Sequence, residues 1–142
     1  MRCLVAGMRI IVCGGRGFDD REAMYRDLDA FRAEHGISFL IEGGQVSRDT
    51  ATLRKWGADF WAKCWRETRG VPGISVRPDW ILHGRAAGPI RNQRMIDEQR
   101  PDALLCAPGG RGTADMRRRA LKANLPVFEI CATHLQQQDT PS

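Results

Sequence analysis

The stretch Arg9-Ile10-Ile11-Val12-Cys13-Gly14-Gly15-Arg16-Gly17 decides the fold. It begins with a β-branched, apolar run of strand length and ends in a glycine cluster, a strand followed by a turn. A strand apolar on both faces is buried on both, as in a parallel sheet covered by helices.

The same unit recurs along the chain. Ile37–Glu42 runs into Gly43-Gly44, and Ala103–Ala107 into Pro108-Gly109-Gly110-Arg111-Gly112-Thr113. Gly73–Val76 and Pro126–Cys131 supply two more short strands. Between them, apolar residues return at helical spacing. Asp20–Glu34 carries Ala23, Met24, Leu28 and Phe31, with Asp19 or Asp20 as its cap. Gly57–Arg69 carries Ala58, Trp61, Ala62 and Trp65 and is closed by Gly70. Ile90–Gln99, with Pro89 as first helical residue, turns Ile90, Met95 and Ile96 toward a core, and Ala114–Ala123 is a fourth helix. This alternation predicts an α/β domain built on a mainly parallel sheet. The polar segment Gln45–Trp56 has no period and reads as a loop or irregular insertion, and His83–Pro89 reads as a loop. One domain over 1–142 is expected, with its core at about 8–131 and a frayed tail from Thr133 to Ser142.

Composition narrows the classes. With 142 residues, 42% hydrophobic and 27% charged, the chain has the make-up of a folded domain rather than a disordered one. No apolar run is long enough to cross a membrane. Met1–Gly7 is too short for a secretory leader, so a cytoplasmic protein is expected, with Met8 as a second candidate start. The five cysteines are odd in number, widely spaced and never paired as C-x-x-C, which argues against a disulfide framework or a structural zinc. Cys13, Cys106 and Cys131 each end an apolar run, where a buried strand places them. His35, His83 and His134 are scattered, so no metal and no resident cofactor are expected. Net charge is +5, and 19 of the 22 basic residues are arginine. Asp and Glu are interleaved with them almost everywhere except Arg117-Arg118-Arg119, which reads as a solvated helix face. Without a basic and aromatic stripe, neither nucleic acid nor a membrane is the expected partner.

Position says more than count. Ten of the fifteen glycines fall in four places: Gly14-Gly15-x-Gly17, Gly43-Gly44, Gly84 with Gly88, and Gly109-Gly110-x-Gly112. Three of these follow a predicted strand, and the loops beyond the carboxyl ends of parallel strands share one crevice. Glycine lets backbone N–H groups approach an anion, and a helix N-terminus adds favourable partial charge. The expectation is a phosphate cradle, with Thr113 adding a hydroxyl at a helix start. Neither G-x-G-x-x-G nor a G-x-x-x-x-G-K-[ST] P-loop is present. Arg16 and Arg91 are candidate phosphate clamps. Glu42 is placed to accept from ribose hydroxyls, and Asp59 either caps a helix or contacts ribose. Trp80 can stack on a base, whereas Trp61 and Trp65 have core spacing. His83 is either a turn residue or a general base. Arg48, Asp49 and Arg54 are the ligand-capable members of the insertion.

Taken in order, Gly14-Gly15-Arg16-Gly17-Phe18, Glu42-Gly43-Gly44, Gly57-Ala58-Asp59, Trp80, His83-Gly84-Arg85-Ala86-Ala87-Gly88-Pro89-Ile90-Arg91-Asn92-x-x-Met95 and Gly109-Gly110-x-Gly112-Thr113-Ala114-Asp115-Met116 resemble the YspA (cpYpsA-related) branch of the SLOG superfamily. The resemblance runs from about Met8 to Cys131. It implies a Rossmann-like open sheet with helices on both faces, a nucleotide-derived ligand and a homo-oligomer. Carried over by position, Gly109, Gly110, Gly112 and Thr113 would hold a phosphate. Arg91 would match the arginine of the R-K-x-x-M helix in the related "Lonely guy" group, which cleaves the N-glycosidic bond of cytokinin nucleoside monophosphates. The full implied ligand set adds Gly14, Gly15, Arg16, Gly17, Phe18, Glu42, Gly43, Gly44, Asp59, Gly84, Arg85, Gly88, Asn92 and Arg111. In the cleaving group the motif reads P-G-G-x-G-T-x-x-E. Its glutamate position is Met116 here, and Asp115 lies one residue earlier, about 100° around a helix. A protein that binds a phosphorylated nucleotide derivative, for sensing or sequestration, is therefore the first expectation. An N-glycosidic hydrolase is the alternative, with Arg91 steadying charge and Asp115, Glu42 or Asp59 as the carboxylate.

Overall fold

The computed structural model describes residues 7–131. The expected frayed tail, the second-start question at Met1 and Cys3 lie outside the described residues. Five strands form one sheet: β1 (Met8–Cys13), β2 (Ile37–Glu42), β5 (Gly73–Ser75), β6 (Ala103–Cys106) and β7 (Val127–Glu129). Their order is β5-β2-β1-β6-β7, and every pairing is parallel. β1 is bonded on both sides, to β2 and β6, and Ile10, Ile11 and Val12 are wholly buried. The run that decides the fold is thus its central strand.

Alternation along each strand divides the core in two. Ile10, Val12, Leu40, Ala103 and Leu105 pack with Met24, Leu28, Ala62 and Trp65 of α1 (Arg21–His35) and α2 (Ala58–Arg69). Ile11, Ile41, Leu104 and Cys106 pack with Met95, Met116 and Ala120 of α4 (Ala87–Gln99) and α5 (Arg111–Lys122). Helices therefore cover both faces, as a Rossmann-like sheet requires. The Asp20 carboxylate accepts from the Ala23 amide at 3.0 Å and starts α1. No helix among the described residues is long and apolar enough to cross a membrane.

Four boundaries differ from the sequence reading. α5 begins at Arg111 rather than Ala114, taking Gly112 and Thr113 into its first turn. Glycine is a poor helix former, which makes a glycine-rich helix start look like a turn. α4 begins at Ala87, so Pro89 is its third residue. That position needs no N–H, because the first amides of a helix have no acceptor inside it. The expected loop from His83 is instead the end of the one-turn helix α3 (Trp80–His83), followed by a 3₁₀ turn over Gly84–Ala86. Within Gln45–Trp56, β3 (Ser47–Arg48) and β4 (Lys55–Trp56) form an antiparallel hairpin. Asp49 closes it by accepting from the Ala51 amide at 2.8 Å, and Leu53 holds a left-handed φ of 62°. Two-residue strands leave no apolar alternation to read.

Trp65 is fully buried, and its indole N–H donates to Asp29 at 2.9 Å. Replacing Trp65 with Ala removes that packing and is expected to lower stability by about 3–5 kcal/mol. Urea unfolding measures it, and a loss below about 1 kcal/mol would contradict the assigned core.

Candidate functional site

In a doubly wound sheet the crevice opens where successive connections leave in opposite directions. Here the chain passes from β1 to β2 on one side and later returns to β6 on the other, so that point lies between β1 and β6. A cavity of about 580 Å³ sits there, lined by turns that follow three different strands. The volume suits a small-molecule ligand. Cys13, Gly14, Gly15 and Arg16 come from the end of β1, Gly43 and Gln45 follow β2, and Gly110, Arg111, Gly112 and Thr113 follow β6. Helices contribute Asp59 from α2, Trp80 from α3, Gly88, Arg91 and Asn92 from α4, and Asp115 and Met116 from α5, with Arg85 between α3 and α4.

Of the residues expected at a site, the structure gathers Gly14, Gly15, Arg16, Gly43, Asp59, Arg85, Gly88, Arg91, Asn92, Gly110, Arg111, Gly112, Thr113 and Asp115 around this cavity. It keeps others off the wall. Phe18 is part of the α1/α2 core. Gly17, Gly44, Gly84 and Gly109 shape the turns without lining the cavity. Glu42 is wholly buried, accepting from the Gly44 amide at 2.6 Å and from the Ser75 hydroxyl. Burial pushes its carboxyl above the ordinary range, against the pull of those two donors. The ribose contact expected of Glu42 is corrected: its oxygens are engaged inside the protein.

Arg91 organises the wall. Its Nη1 donates to the Gly43 carbonyl at 2.5 Å and to the Val76 carbonyl at 3.2 Å, and its Nε donates to Asn92 Oδ1 at 2.9 Å. A side chain on Gly43 would run into the Arg91 guanidinium and come within 2.9 Å of Asp59 Oδ2, so this position must be glycine. Gly109 is constrained in the same way: a Cβ there would collide with Thr113 Oγ1 and approach the Gly15 amide nitrogen to 2.6 Å. Gly15 donates to the Pro108 carbonyl at 2.8 Å, joining the first and last glycine turns.

The two aspartates on the wall are opposites. Asp115 accepts from Asn92 at 3.0 Å, Arg119 at 2.8 Å and Arg118 at 2.5 Å. Burial opposes its charge, but the hydrogen bonds from Arg119 and Asn92, with both arginine charges, hold its pKa below the usual range. An anion so well held is not a proton donor near neutrality. The run Arg117-Arg118-Arg119 has the solvated face expected of it, Arg118 being 68% exposed, and is paired as well: Arg118 and Arg119 neutralise Asp115, and Arg117 pairs with Glu129 at 2.5 Å. Asp59 accepts from the Gln45 amide at 3.0 Å yet has no ion pair among the described residues. Burial pushes its pKa up to about 7, with the nearby Glu42 charge adding to the rise and Arg91 opposing it.

Three cations on the wall have no internal partner. Among the described residues, the guanidinium groups of Arg16 and Arg111 and that of Arg85 make no hydrogen bond, ion pair or ring contact, although Arg16 accepts through its carbonyl from Ser47 Oγ at 2.7 Å. No side chain caps the N-terminus of α5, which faces the same space. Of the insertion, Gln45 alone among the described residues reaches the cavity. Arg54 donates from Nη2 to both Asp19 carboxylate oxygens, at 2.6 and 2.8 Å, and Asp49 is used in the hairpin turn. Trp80 lines the cavity while half exposed, a position the sequence offered as a base-stacking surface, and His83 is outside it. Met116, at the position of the cleaving group's glutamate, also lines it. No cluster of three metal-ligating side chains occurs among the described residues.

The central strand, the two covered faces and the cavity at the switch point define a Rossmann-like α/β protein with a small-molecule-sized site. The chain belongs to the YspA, cpYpsA-related SLOG family, whose model matches residues 8–83. That match spans β1 to α3 and so includes the first two glycine turns. The Gene 61 protein of Mycobacterium phage D29 is 31% identical over 126 residues, covering 86% of this chain and 95% of that protein.

An aspartate whose folded pKa is raised stabilises the fold below its unfolded pKa near 3.9, and that contribution disappears as pH climbs through the folded value. Asp59, at about 7, is expected to make stability fall between about pH 4 and 7. Replacing Asp59 with Asn should flatten this slope and raise stability at pH 8, by up to about 4 kcal/mol from linkage. Urea unfolding of both proteins across that range checks it. Parallel pH profiles would contradict the burial of a carboxyl without an ion pair.

Proposed function

We propose that the cavity binds a phosphorylated, nucleotide-derived small molecule, for sensing or sequestration. The observation that carries this is the set of unpartnered guanidinium groups, Arg16, Arg85 and Arg111, around a cavity into which the uncapped N-terminus of α5 opens. Such donors match phosphate oxygens in geometry and charge. Membership of the SLOG family supports a nucleotide-related ligand. Gly110, Gly112 and Thr113 would hold the phosphate at the helix start, Arg111 and Arg16 would clamp it, and Trp80 would stack on the base. The ligand class spans nucleotides, ADP-ribose-type molecules and cyclic nucleotides.

Native mass spectrometry of the purified protein, followed by calorimetry against that panel, tests the proposal. Retention of one nucleotide-class ligand is expected, and no binding across the panel would sink it. Arg111→Ala removes charge-assisted hydrogen bonds worth about 1.5–3 kcal/mol and should weaken binding about 10- to 100-fold. An unchanged affinity for Arg111→Ala together with Arg16→Ala would remove the phosphate from this end of the cavity.

One observation favours hydrolysis of an N-glycosidic bond as the second reading. Asp59 lies on the cavity wall with its pKa near 7, and so holds a proton available for a leaving base at neutral pH. Asp115 lacks that property. Incubation with nucleoside monophosphates and NAD, with chromatography for free base, separates the two readings. Binding with intact ligand leaves the binding protein, whereas multiple turnover that Asp59→Asn abolishes selects the hydrolase.

A further inference from the structure

Two thiols meet beside the cavity, and neither reading of its function uses them. Cys13 ends β1 and Cys106 ends β6, and they are paired in register across the switch point. Cys106 is buried in the α4/α5 core with Cys13 packed against it, and their sulfur atoms are 3.2 Å apart. Cys13 is partly exposed and lines the cavity. Neighbouring strands run about 4.8 Å apart, within the span of roughly 4.4–6.8 Å between Cα atoms that a disulfide bridges. Closing the sulfurs to bonding distance, about 2.05 Å, thus requires side-chain adjustment rather than movement of the strands.

We propose that Cys13 and Cys106 form an oxidation site on the cavity wall, where hydrogen peroxide converts the dithiol to a reversible disulfide. The hydrogen bond between the sulfurs stabilises a single thiolate. That bond, aided by the Arg117 charge, holds the Cys106 thiol below its ordinary pKa, while the same bond and burial raise Cys13. The pair therefore carries its single negative charge mainly on Cys106, and Cys13 is the sulfur that the cavity exposes. The thiolate attacks one peroxide oxygen; the O–O bond breaks, the sulfur becomes a sulfenic acid, and the departing hydroxide takes a proton and leaves as water. The second thiol then attacks the sulfenic sulfur. The S–O bond breaks, the S–S bond forms, and a second water leaves with the remaining thiol proton. In sum, two thiols are oxidised by two electrons and one peroxide is reduced to two waters.

Reversibility follows from access: Cys13 is partly exposed and lines the cavity, and an exposed disulfide is the more easily reduced one. Cys64 and Cys131 have no thiol neighbour among the described residues, so the same chemistry does not cross-link them.

The test uses the full-length reduced protein, treated with one equivalent of hydrogen peroxide, trapped with N-ethylmaleimide, digested and mapped by mass spectrometry. The expected major product is a Cys13–Cys106 linked peptide, two hydrogens lighter than its parts, that dithiothreitol returns to two free thiols. Cys106→Ser should give no Cys13 cross-link and leave Cys13 oxidised no further than a sulfenic acid, which dimedone labels, because one equivalent of peroxide removes only two electrons. Recovery of both cysteines as free thiols from the wild-type protein would overturn the proposal, as would overoxidised Cys13 without a link or a link from Cys13 to a different cysteine. The wild-type readout does not depend on how the variant folds, and none of these readouts requires nucleotide binding.

Discussion

A guanidinium placed inside a protein must find acceptors and opposite charge there, and Arg91 has both. Two carbonyls, those of Gly43 and Val76, take its Nη1, and Asn92 takes its Nε. Burial lowers its pKa, while the Asp59 and Glu42 charges oppose that loss. The carbonyls belong to the chain just after β2 and just after β5, and Asn92 continues the network into α5 through the Gly112 carbonyl and Asp115. One side chain thereby fixes the exits of two strands and the spacing of two helices. Removing a partner from a buried charge costs about 3–5 kcal/mol. Gly43 follows from the same constraint, because the guanidinium occupies the space a side chain would need.

With Arg91 anchored by the protein, the charges around the cavity divide into two groups. Asp115 is balanced by Arg118 and Arg119, and Glu42 is held by Ser75 and Gly44. Arg16, Arg85 and Arg111 have no such internal balance. With Asp115 balanced, Asp59 kept partly protonated near neutrality by its raised pKa, and three cations free, the cavity carries a positive field toward its centre, and its low-dielectric walls concentrate that field. Arginine count alone could not show this, since Arg54, Arg69, Arg117 and Arg119 are no different in the sequence and are all paired in the fold.

The sheet was legible because its three central strands are buried on both faces and its turns are glycine clusters, signals that survive in sequence. The three turns predicted to share a crevice do line one cavity, because the parallel topology sends every strand's carboxyl end to the same edge. What could not be read was which polar atoms remain available. Glu42, next to Gly43-Gly44, has the position of a ligand contact, yet Ser75 lies 33 residues away and turns it inward. Asp115 is engaged by Asn92, 23 residues before it, as well as by its own helix. The β3–β4 hairpin depends on Asp49 and on a left-handed Leu53, neither of which follows a periodic rule. The Cys13–Cys106 contact likewise depends on the register of two strands separated by most of the chain.

The position of an anion within the cavity follows from a comparison of helix starts. Four long helices begin near the carboxyl edge of the sheet, and each exposes amides with no acceptor of its own. Asp20 caps α1. α2 has no side-chain cap, but its Ala58 amide donates to the Gly15 carbonyl at 3.2 Å. α4 carries Pro89 in its first turn and so lacks one of those donors. α5 begins with Arg111-Gly112-Thr113 and has no side-chain cap, a full set of N–H groups there, and a hydroxyl in the same turn. The collision that a Cβ on Gly109 would have with Thr113 shows how closely the preceding turn is drawn over that hydroxyl. Helix dipole, open amides and unpaired guanidinium groups therefore converge at α5 and at none of the other three starts, and an anionic group placed there meets favourable charge from each.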